Sequence, residues 1–499
     1  MNIVDAFLFQ ARHQPTVVAI SIPGTRHNAV SYGRLESYVN NVGCRAVSLG
    51  LRRGDVVAIA VDDPVIHLAF VLGLTRIGVV TLSTTTPRFP AEIRIDAAIT
   101  DKPGDFQNAG RVILADQSWI MGAGHAPRIE VDASYNGGAA PARIILTSGT
   151  TGDQKAVLLS HEMMLRRLQA YDAAFGNVVP TCSRFFLDIG LTASFGYTWA
   201  LYVLARGGAI FLRSTDPAET IQAFDLYNVQ CMIAAPSGVA EFLDYYDRSP
   251  EARCPFEVML ASGSLLSRSL SERVRARMCA NLVATYGATE ISPVAAAIAH
   301  RIAHINGAVG YLAPWVQAEA VGEDDQPVQP GKQGIIRMRG HTCVDGYLGN
   351  PPGSDSIFRS GWFYPGDIGT ITDERLLIIS GRQQAVINIG GNKISSETIE
   401  AVIGTFPGVI HCAAFSRPNE LGIEQIWAIV TSSGNLDLAA LRKHCSQSLA
   451  APFVPVKILQ VQQIPLNEMG RLDRKMLPEL AALEWLPRVV GLCAAHVCF

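Results

Sequence analysis

The segment with the clearest chemical signal is a run of small residues between an apolar strand and a lysine. Residues 146–161 read LTSGTTGDQKAVLLSH, and Lys155 closes the run. The loop consists of Ser148, Gly149, Thr150, Thr151 and Gly152. Backbone N–H groups and hydroxyls in such a loop can surround a phosphate, and the lysine adds a positive charge. The spacing differs from the G-x-x-x-x-G-K-[ST] pattern of Walker nucleotidases. The segment therefore predicts a phosphate site of another kind, with an ordinary polar loop as the alternative.

Three further turns carry side chains suited to chemistry. In ATYGATE, residues 284–290, Tyr286 has a ring that can stack on a base, Thr289 a hydroxyl for a phosphate and Glu290 a carboxylate for Mg²⁺. Asp367 follows a Pro-Gly turn in GWFYPGDIGTI, and Arg382 follows a Ser-Gly turn in SGRQQAVINIGG. Charged residues on turns are usually solvated, so each of these segments is a weak signal alone.

The elements that must position these residues alternate between helices and strands. Helical spacing in SYGRLESYVNNVGCRAVSLG precedes the apolar strand GDVVAIAV, and the pair repeats in PVIHLAFVLGLTRIG and VVTLS. This alternation predicts mostly parallel sheets covered by helices. From about residue 305, Gly, Pro and charged hairpins predict a small β-rich subdomain that extends to residue 381. The remainder reads as a compact α+β unit, so we predict an α/β fold with a large N-terminal and a small C-terminal domain.

Composition excludes several classes of function. Hydrophobic residues make up 48% of the 499 residues, charged residues 17%, and the formal net charge is −3. No apolar run reaches the roughly 18–20 residues of a bilayer span, and no basic stripe indicates nucleic acid. We therefore expect neither a membrane nor a nucleic acid as partner. The 10 cysteines form no C-x-x-C pair, and residues 1–10 lack a secretory signal. We expect reduced thiols and a cytoplasmic location.

Together and in this order, the four segments resemble the adenylate-forming superfamily of acyl-CoA synthetases, nonribosomal-peptide adenylation domains and luciferases, and within it the acyl-CoA ligase branch. The resemblance extends from VSYGRLESYVNNVGCRAVSLG, which begins at residue 30, to GRLDRKML, which ends at residue 477. It implies that a carboxylate reacts with ATP to give acyl-AMP and pyrophosphate, and that a thiol attacks the acyl-AMP after the small domain has rotated. The implied domains are residues 1–381 and 382–499, with a hinge near Gln384.

The resemblance also implies roles for individual positions. Besides the small-residue loop, the implied ATP- and AMP-binding residues are Thr147, Lys155, Gly263, Ser264, Tyr286, Gly287, Thr289, Glu290, Asp367, Ile379 and Arg382. Among them Tyr286 would contact adenine, Glu290 would hold Mg²⁺, and Asp367 with Arg382 would bind the ribose hydroxyls. Gly391, in IGGNKI, would line the pantetheine tunnel, because a side chain there would block the thiol. The implied catalytic positions are Arg471, Gly391 and Lys393.

The resemblance places the acyl pocket on a helix within residues 185–211, FFLDIGLTASFGYTWALYVLARGGAIF. The predicted lining residues are Phe195, Gly196, Trp199, Ala235 and Ser262. Aromatic and small side chains predict an apolar cavity and a bulky apolar carboxylic acid as substrate, although an aromatic stripe is also typical of plain core. Asp188 lies about two helical turns before the position that would bind an amino group, so an amino-acid substrate is disfavoured.

Several positions depart from the superfamily pattern. Arg471 stands where these enzymes have a lysine that bridges the substrate carboxylate and the α-phosphate. That lysine stabilises charge during adenylation and leaves the site before the thiol step, and Arg is not a conservative replacement at a point contact. Gln154 and Ala156 interrupt the usual Pro-Lys-Gly ending of the phosphate loop, and Asn388 and Ile335 replace a usual Lys and Glu.

These departures concern the handling of ATP, whereas the positions that hold acyl-AMP and admit a thiol are retained. We therefore predict an enzyme that forms an acyl-CoA from an acyl-adenylate and CoA, with adenylation weak or lost and a separate adenylating ligase as partner. The pattern as a whole is similar to the non-adenylating acyl-CoA ligases of platensimycin- and platencin-like diterpenoid biosynthesis. Predicted cofactors are CoA and acyl-AMP or ATP, with Mg²⁺ if adenylation is retained.

Three alternatives remain open from the sequence. They are a complete ATP-dependent acyl-CoA synthetase, a stand-alone adenylating enzyme that loads a carrier protein, and a non-catalytic nucleotide-binding protein.

Overall fold

The computed structural model describes most of the chain. It leaves out residues 85–88, 91, 103, 105, 107, 122–136, 148–154, 180, 249–251, 384–385, 390–391, 420–423, 433, 467–471 and 486–499, and the side chains of 386, 388–389, 392–393, 475 and 482–485. The chain divides into two compact units, Met1–Ile379 and Ser380–Phe499. Among the described residues, no helix combines the length and apolar character that a bilayer crossing requires.

The helices lie between strands along most of the chain. They are α1 (Asp5–His13), α2 (Tyr32–Ser48), α3 (Pro64–Arg76), α4 (Ser118–Met121), α5 (His161–Phe175), α6 (Ser194–Ala205), α7 (Pro217–Leu226), α8 (Pro236–Arg248), α9 (Arg268–Arg277), α10 (Ala299–Ile302), α11 (Ser354–Ile357), α12 (Ser396–Gly404), α13 (Leu438–Ser448) and α14 (Leu477–Trp485). Short 3₁₀ turns are formed by Ala451–Phe453 and Arg474–Met476.

The strands fall into a parallel-rich first half and a mostly antiparallel second half. They are β1 (Val18–Ser21), β2 (Val30–Ser31), β3 (Val56–Ala60), β4 (Val80–Ser83), β5 (Ala97–Thr100), β6 (Val112–Leu114), β7 (Pro141–Thr147), β8 (Lys155–Ser160), β9 (Arg184–Asp188), β10 (Ala209–Phe211), β11 (Cys231–Ala234), β12 (Val258–Ala261), β13 (Leu282–Tyr286), β14 (Ala295–Ile298), β15 (Ala308–Leu312), β16 (Val316–Val321), β17 (Gly334–Gly340), β18 (Phe358–Arg359), β19 (Trp362–Phe363), β20 (Asp367–Ile371), β21 (Leu376–Arg382), β22 (Val386–Ile389), β23 (Asn392–Ser395), β24 (Val409–Pro418), β25 (Glu424–Ser432) and β26 (Lys457–Gln460).

Two sheets organise the first unit. One has the order β6-β5-β3-β4-β7-β8 and is parallel except for its last strand. The other runs β2-β1-β10-β9-β11-β12-β13 and continues through β14-β15-β21-β20-β17-β19-β18, with β16 paired to β17. Its strands from β1 to β13 in that order pair in parallel. Antiparallel pairing joins β13 to β14, β14 to β15, β15 to β21, β17 to β16, β19 and β20, and β18 to β19. The predicted α/β class with mostly parallel sheets is therefore confirmed.

Capping and burial explain where the helices begin and which faces they bury. The Ser31 side chain accepts the N–H of Arg34 at the start of α2, and the Asp63 side chain accepts two N–H groups at the start of α3. Nearly every side chain of α3 is buried, so this helix is apolar on all faces. The largest core cluster joins α1, α2, α3 and α6 to β3, β7 and β9, which places these helices between the two sheets.

The predicted helix within residues 185–211 is shorter than the sequence suggested. The first residues form the buried strand β9, and only Ser194–Ala205 is helical before β10 begins. The apolar run Phe185, Phe186 and Leu187 is short and fully buried, which suits a central parallel strand. Gly207 has a φ of 77°, so α6 ends in a left-handed turn that favours glycine.

The second unit contains a hairpin and a three-stranded sheet. The hairpin pairs β22 with β23, and the sheet has the order β24-β25-β26. Side chains of α12 and α13 form one buried cluster with β24 and β25, and side chains of α14 pack in another on the same strands.

Candidate active site

The carboxyl ends of three neighbouring parallel strands bring several of the predicted site residues together. Ala235 follows β11, Ser262 follows β12, and Tyr286 ends β13. The Ser262 hydroxyl donates to the Thr285 carbonyl over 3.2 Å, which ties the ends of β12 and β13. Gly263 has a φ of 99°, a conformation that favours glycine. Ligands of open α/β sheets bind at this edge, so the position is suited to a nucleotide.

The hydroxyl of Tyr286 donates a hydrogen bond to the carboxylate of Asp367. Asp367 begins β20 directly after Gly366, whose φ is 79°. Asp367 is only 3% exposed. The bond joins the last parallel strand to the antiparallel part of the sheet. An aromatic ring and a carboxylate thus lie side by side, with the ring half-buried.

Glu290 lies in the middle of the loop that follows β13, with Gly287 and Thr289 half-buried before it. Its residue is 7% exposed, and Oε1 accepts the hydroxyl of Tyr347 over 2.6 Å. Burial, together with the charge of Glu290, raises the pKa of Tyr347, so this hydroxyl keeps its proton and donates. The backbone of Glu290 is also held, because its carbonyl accepts the N–H of Val344 over 2.9 Å.

The ends of the small-residue loop meet this carboxylate through Tyr347. Thr147 and Lys155 are direct partners in the β7–β8 hairpin, and the Thr147 hydroxyl donates to the Lys155 carbonyl over 3.3 Å. Nζ of Lys155 lies 5.0 Å from the centre of the Tyr347 ring. The next residue, Ala156, accepts the N–H of Leu348 over 2.8 Å.

The arrangement places one cation, Lys155, and one nearly buried carboxylate, Glu290, next to the same tyrosine, Tyr347. The predicted loop residues Ser148, Gly149, Thr150, Thr151 and Gly152, with Gln154, lie outside the described residues. Within the described part of the chain, no group of three or more His, Cys, Asp or Glu side chains could hold a metal by itself. Mg²⁺ is commonly held by one or two carboxylates plus substrate phosphates, and Glu290 fits that mode.

The predicted acyl-pocket residues divide between surface and core. Phe195 and Gly196 lie in the first turn of α6, and Phe195 is half-buried. Trp199 has no exposed surface, and its ring packs against those of Tyr171 and Phe175 at 5.2 and 5.4 Å. Trp199 is therefore part of the aromatic core, which was the alternative that an aromatic stripe left open.

Asp188, at the end of β9, has its charge occupied by Arg213. The guanidinium forms two hydrogen bonds with the carboxylate, at 2.8 and 2.9 Å, and Arg213 also contacts Glu241 at 2.6 Å. Burial raises the pKa of Asp188, opposed by the arginine charge. The paired carboxylate is already compensated within the fold.

Of the remaining predicted residues, Ser264 lies within the first unit, and the others lie at its end or beyond it. Ile379 is half-buried in β21, where its N–H donates to Gly307 over 2.8 Å, and Ser264 is exposed after β12. Arg382 is exposed at the last position of β21, and Lys393 is paired with Asn388 in the β22–β23 hairpin. Gly391, Gln384 and Arg471 lie outside the described residues.

The residues that flank the segment 467–471, which contains Arg471, contact one another. Leu466 and Leu472 form a β-bridge on its two sides, and Asp473 N–H donates to Pro465 over 2.9 Å. Arg474 donates to both oxygens of the half-buried Glu400 at 2.8 and 2.9 Å.

Tyr347 is the residue that reasoning from sequence missed. It lies 57 positions from Glu290, in VDGYLGNPPG, a segment without helical or strand periodicity. A tyrosine in a Gly-containing turn was its only local signal.

Similarity to known proteins agrees with this geometry. The family described as AMP-binding enzyme matches residues 7–348, and the AMP-binding enzyme C-terminal domain matches residues 398–471. A 4-chlorobenzoate–CoA ligase of Arthrobacter sp is 24% identical over 501 residues, which cover 94% of each chain. A long-chain-fatty-acid–CoA ligase of Escherichia coli O157:H7 is 26% identical over 341 residues, 67% of this chain and 61% of that protein.

The same fold occurs in solved structures. The o-succinylbenzoate coenzyme A synthetase of Bacillus subtilis, in complex with ATP and magnesium ion, has a TM-score of 0.79 at 20% identity and covers 95% of this chain and 99% of that one. The family match extends over more than half of the chain, and the resemblance seen in its motifs is confirmed. The chain belongs to the AMP-binding enzyme family, the adenylate-forming superfamily.

Proposed function

We propose that this protein is an acyl-CoA ligase that joins an acyl group, carried as its adenylate, to the thiol of CoA. The observation that carries the proposal is the grouping of Lys155, Tyr347 and Glu290 next to the carboxyl edge of the large sheet. A lysine and a metal-binding carboxylate suit the phosphates of ATP, and the Tyr286–Asp367 pair suits adenine and ribose. The relatives named as CoA ligases for 4-chlorobenzoate and long-chain fatty acids support a carboxylic acid as substrate.

A bulky apolar acid is the substrate class that we propose. Phe195 is the partly exposed aromatic residue at the start of α6, and small residues end β11 and β12. The Asp188 carboxylate is bound by Arg213, so it offers little to a substrate amino group. Both observations favour apolar acids over amino acids.

We further propose that thioester formation is the faster half-reaction and that adenylation is weak. Adenylation gathers negative charge at phosphorus, and a point charge placed there lowers the barrier. Arg471 carries a planar guanidinium at the position that resembles the lysine of the superfamily, so the charge is retained with a different shape. Attack of the CoA thiolate on acyl-AMP forms the C–S bond and releases AMP, and this step does not depend on that lysine. A separate adenylating ligase, as in natural product biosynthesis, would then supply the acyl-AMP.

A complete acyl-CoA synthetase is the second candidate. It is favoured by Glu290, which is retained with its tyrosine donor and lies near Lys155, because these groups serve ATP and Mg²⁺ rather than the thiol. The o-succinylbenzoate coenzyme A synthetase structure contains ATP and magnesium ion, which supports the same use of the fold.

Two reaction mixtures separate these candidates. The first contains the full chain, Mg²⁺, ATP, CoA and one acid from a panel of aromatic, long-chain and alicyclic acids, and pyrophosphate release is followed. The second contains the corresponding synthetic acyl-AMP and CoA, and the thioester is followed. We expect fast thioester formation in the second mixture and slow pyrophosphate release in the first. Rapid acid-dependent pyrophosphate release would favour the complete synthetase.

The variant Arg471→Lys tests the cause. We expect pyrophosphate release to rise on the order of 10²-fold, with no change in thioester formation from acyl-AMP. Arg442→Lys is the matched control, because Arg442 is an exposed arginine of the same unit that donates to the Pro455 carbonyl. No gain for Arg471→Lys would move the cause to Gln154 and Ala156.

A further inference from the structure

A buried arginine outside the motifs contacts the backbone that carries Glu290. Arg167 lies in α5, is 1% exposed, and Nη2 donates to the carbonyls of Thr289 and Glu290 at 2.9 and 3.2 Å. The same nitrogen lies 3.2 Å from the carbonyl of Thr342. A single guanidinium therefore bridges the Glu290 loop and the segment that leads to Tyr347.

This arginine has an unusual environment for a buried cation. No carboxylate forms a salt bridge with Arg167 in the part of the chain that the structure describes, and its Nε and Nη1 are buried without a hydrogen-bond partner. Burial lowers the pKa of Arg167 to about 10, which leaves it charged at neutral pH. A buried charge that is compensated only by carbonyl dipoles is costly, and a purely structural role could be filled by apolar packing.

The helix α5 contacts the same loop at a second point. Tyr171 lies four residues after Arg167, on the same helical face. Its hydroxyl is 3.1 Å from the hydroxyl of Ser292, two positions beyond Glu290. The strand β8 begins at Lys155, and α5 follows it directly. The continuous β8–α5 segment therefore connects the proposed phosphate lysine to the loop that carries the proposed metal ligand.

We propose that Arg167 is a positioning residue for Mg²⁺·ATP: it holds the Thr289–Glu290 backbone and the Thr342 segment so that the Glu290 carboxylate faces the metal. The inference rests on the proposed role of Glu290 as the Mg²⁺ ligand. Groups that orient a metal ligand from behind change metal affinity without touching the metal. Adenosine contacts at Tyr286 and Asp367 lie outside this linkage, so binding of adenosine, which lacks the phosphate that Thr289 would contact, does not depend on it.

The test uses Arg167→Met, which removes all donors at similar length, and Arg167→Lys, which keeps a charge and fewer donors. For each full-length variant, calorimetry gives the Mg²⁺ concentration for half-maximal ATP binding and the adenosine affinity without Mg²⁺. We expect Arg167→Met to raise the half-maximal Mg²⁺ concentration by about 10-fold to 100-fold, with unchanged adenosine affinity. Arg167→Lys is expected to fall between Arg167→Met and the unaltered protein.

Arg277→Met is the matched control. Arg277 also donates to backbone carbonyls, those of Tyr246 and Ala252, and neither belongs to the Glu290 loop or to the Thr342 segment. Its loss should leave both binding constants unchanged. An unchanged Mg²⁺ dependence in Arg167→Met, or an equal weakening of adenosine and Mg²⁺·ATP binding, would overturn the inference.

Glu290→Gln separates this failure from a failure of the proposed function. If Glu290→Gln raises the half-maximal Mg²⁺ concentration and the Arg167 variants do not, the positioning role is wrong and the metal role stands. If Glu290→Gln itself leaves the Mg²⁺ dependence unchanged, the metal role is wrong and the inference falls with it. Should Arg167→Met fail to fold, Arg167→Lys decides by the same comparison.

Discussion

At the scale of single residues, the site depends on a carboxylate that is almost completely removed from water. Glu290 is 7% exposed, and the Tyr347 hydroxyl is the side-chain donor that reaches its Oε1. Removing one partner of a buried hydrogen bond leaves the other to bear its desolvation cost. Tyr347 therefore supplies a hydrogen bond to the buried carboxylate and contacts Lys155 through its ring.

The variant Tyr347→Phe tests this bond. It keeps the ring and removes the hydroxyl, so we expect the free energy of unfolding to fall by about 1–3 kcal/mol. Thermal or chemical unfolding of the full chain measures the change. Tyr311→Phe is the control, because Tyr311 is 46% exposed on β15 and its change should stay within about 0.5 kcal/mol. Equal losses in both variants would contradict the role of the hydroxyl.

At the scale of elements, the start of α6 is determined by close backbone contact. The N–H of Ala193 donates to the carbonyl of Gly190 over 3.1 Å, which folds the loop against the first turn of the helix. A Cβ at Gly196 would lie 2.3 Å from that carbonyl oxygen and 2.9 Å from the oxygen of Ile189. Glycine is required at position 196 because a side chain would not fit, and not because of its φ. The position of the neighbouring Phe195 depends on the same packing.

We expect Gly196→Ala to destabilise the first unit by about 1–3 kcal/mol, because the loop must move away from the helix. Denaturant titration of the full chain measures this loss. The control is Gly404→Ala in α12, where a Cβ would meet nothing within 4 Å, and there we expect a gain of up to about 1 kcal/mol. A stable Gly196→Ala protein would show that the loop at 189–190 yields without cost.

At the scale of the whole molecule, the core of the first unit contains polar groups whose burial makes stability depend on pH. His67, in α3, is 3% exposed, and its Nε2 is 2.7 Å from the Ser83 hydroxyl. Arg143, in β7, donates to the same hydroxyl over 2.7 Å and lies 4.0 Å from the centre of the Tyr197 ring. Burial, and next the Arg143 charge, lower the pKa of His67 to about 3.

The sign of the pH dependence follows from this lowered pKa. Between about pH 6.5 and the folded pKa, the unfolded chain binds a proton at His67 that the folded chain does not bind, so stability falls as the pH falls. We expect His67 to contribute a loss of about 1.4 kcal/mol per pH unit below pH 6.5. Unfolding free energies at pH 7, 6 and 5 measure the slope.

The variant His67→Gln should reduce this slope, and the exposed His13→Gln should leave it unchanged. The same slope in His67→Gln and in the unaltered protein would mean that other groups cause the acid sensitivity.

The sequence alone determined the local elements and the family. Periodicity, Ser and Asp caps and glycine turns set α2, β3, α3 and β4, because they act through neighbouring residues. The same motifs indicated the adenylate-forming superfamily, and the family matches agree. Prediction from the sequence failed for residues 185–211, where an apolar run did not distinguish a buried strand from a helix.

Only the tertiary structure decided which side chains meet. Tyr347 binds a residue 57 positions away, and Tyr286 binds one 81 positions away. Arg167 reaches carbonyls 122 and 123 positions further along the chain. The tertiary structure also assigned Trp199 to the aromatic core. Such contacts depend on how sheets and helices pack, and a local pattern carries no information on the partner that packing will supply.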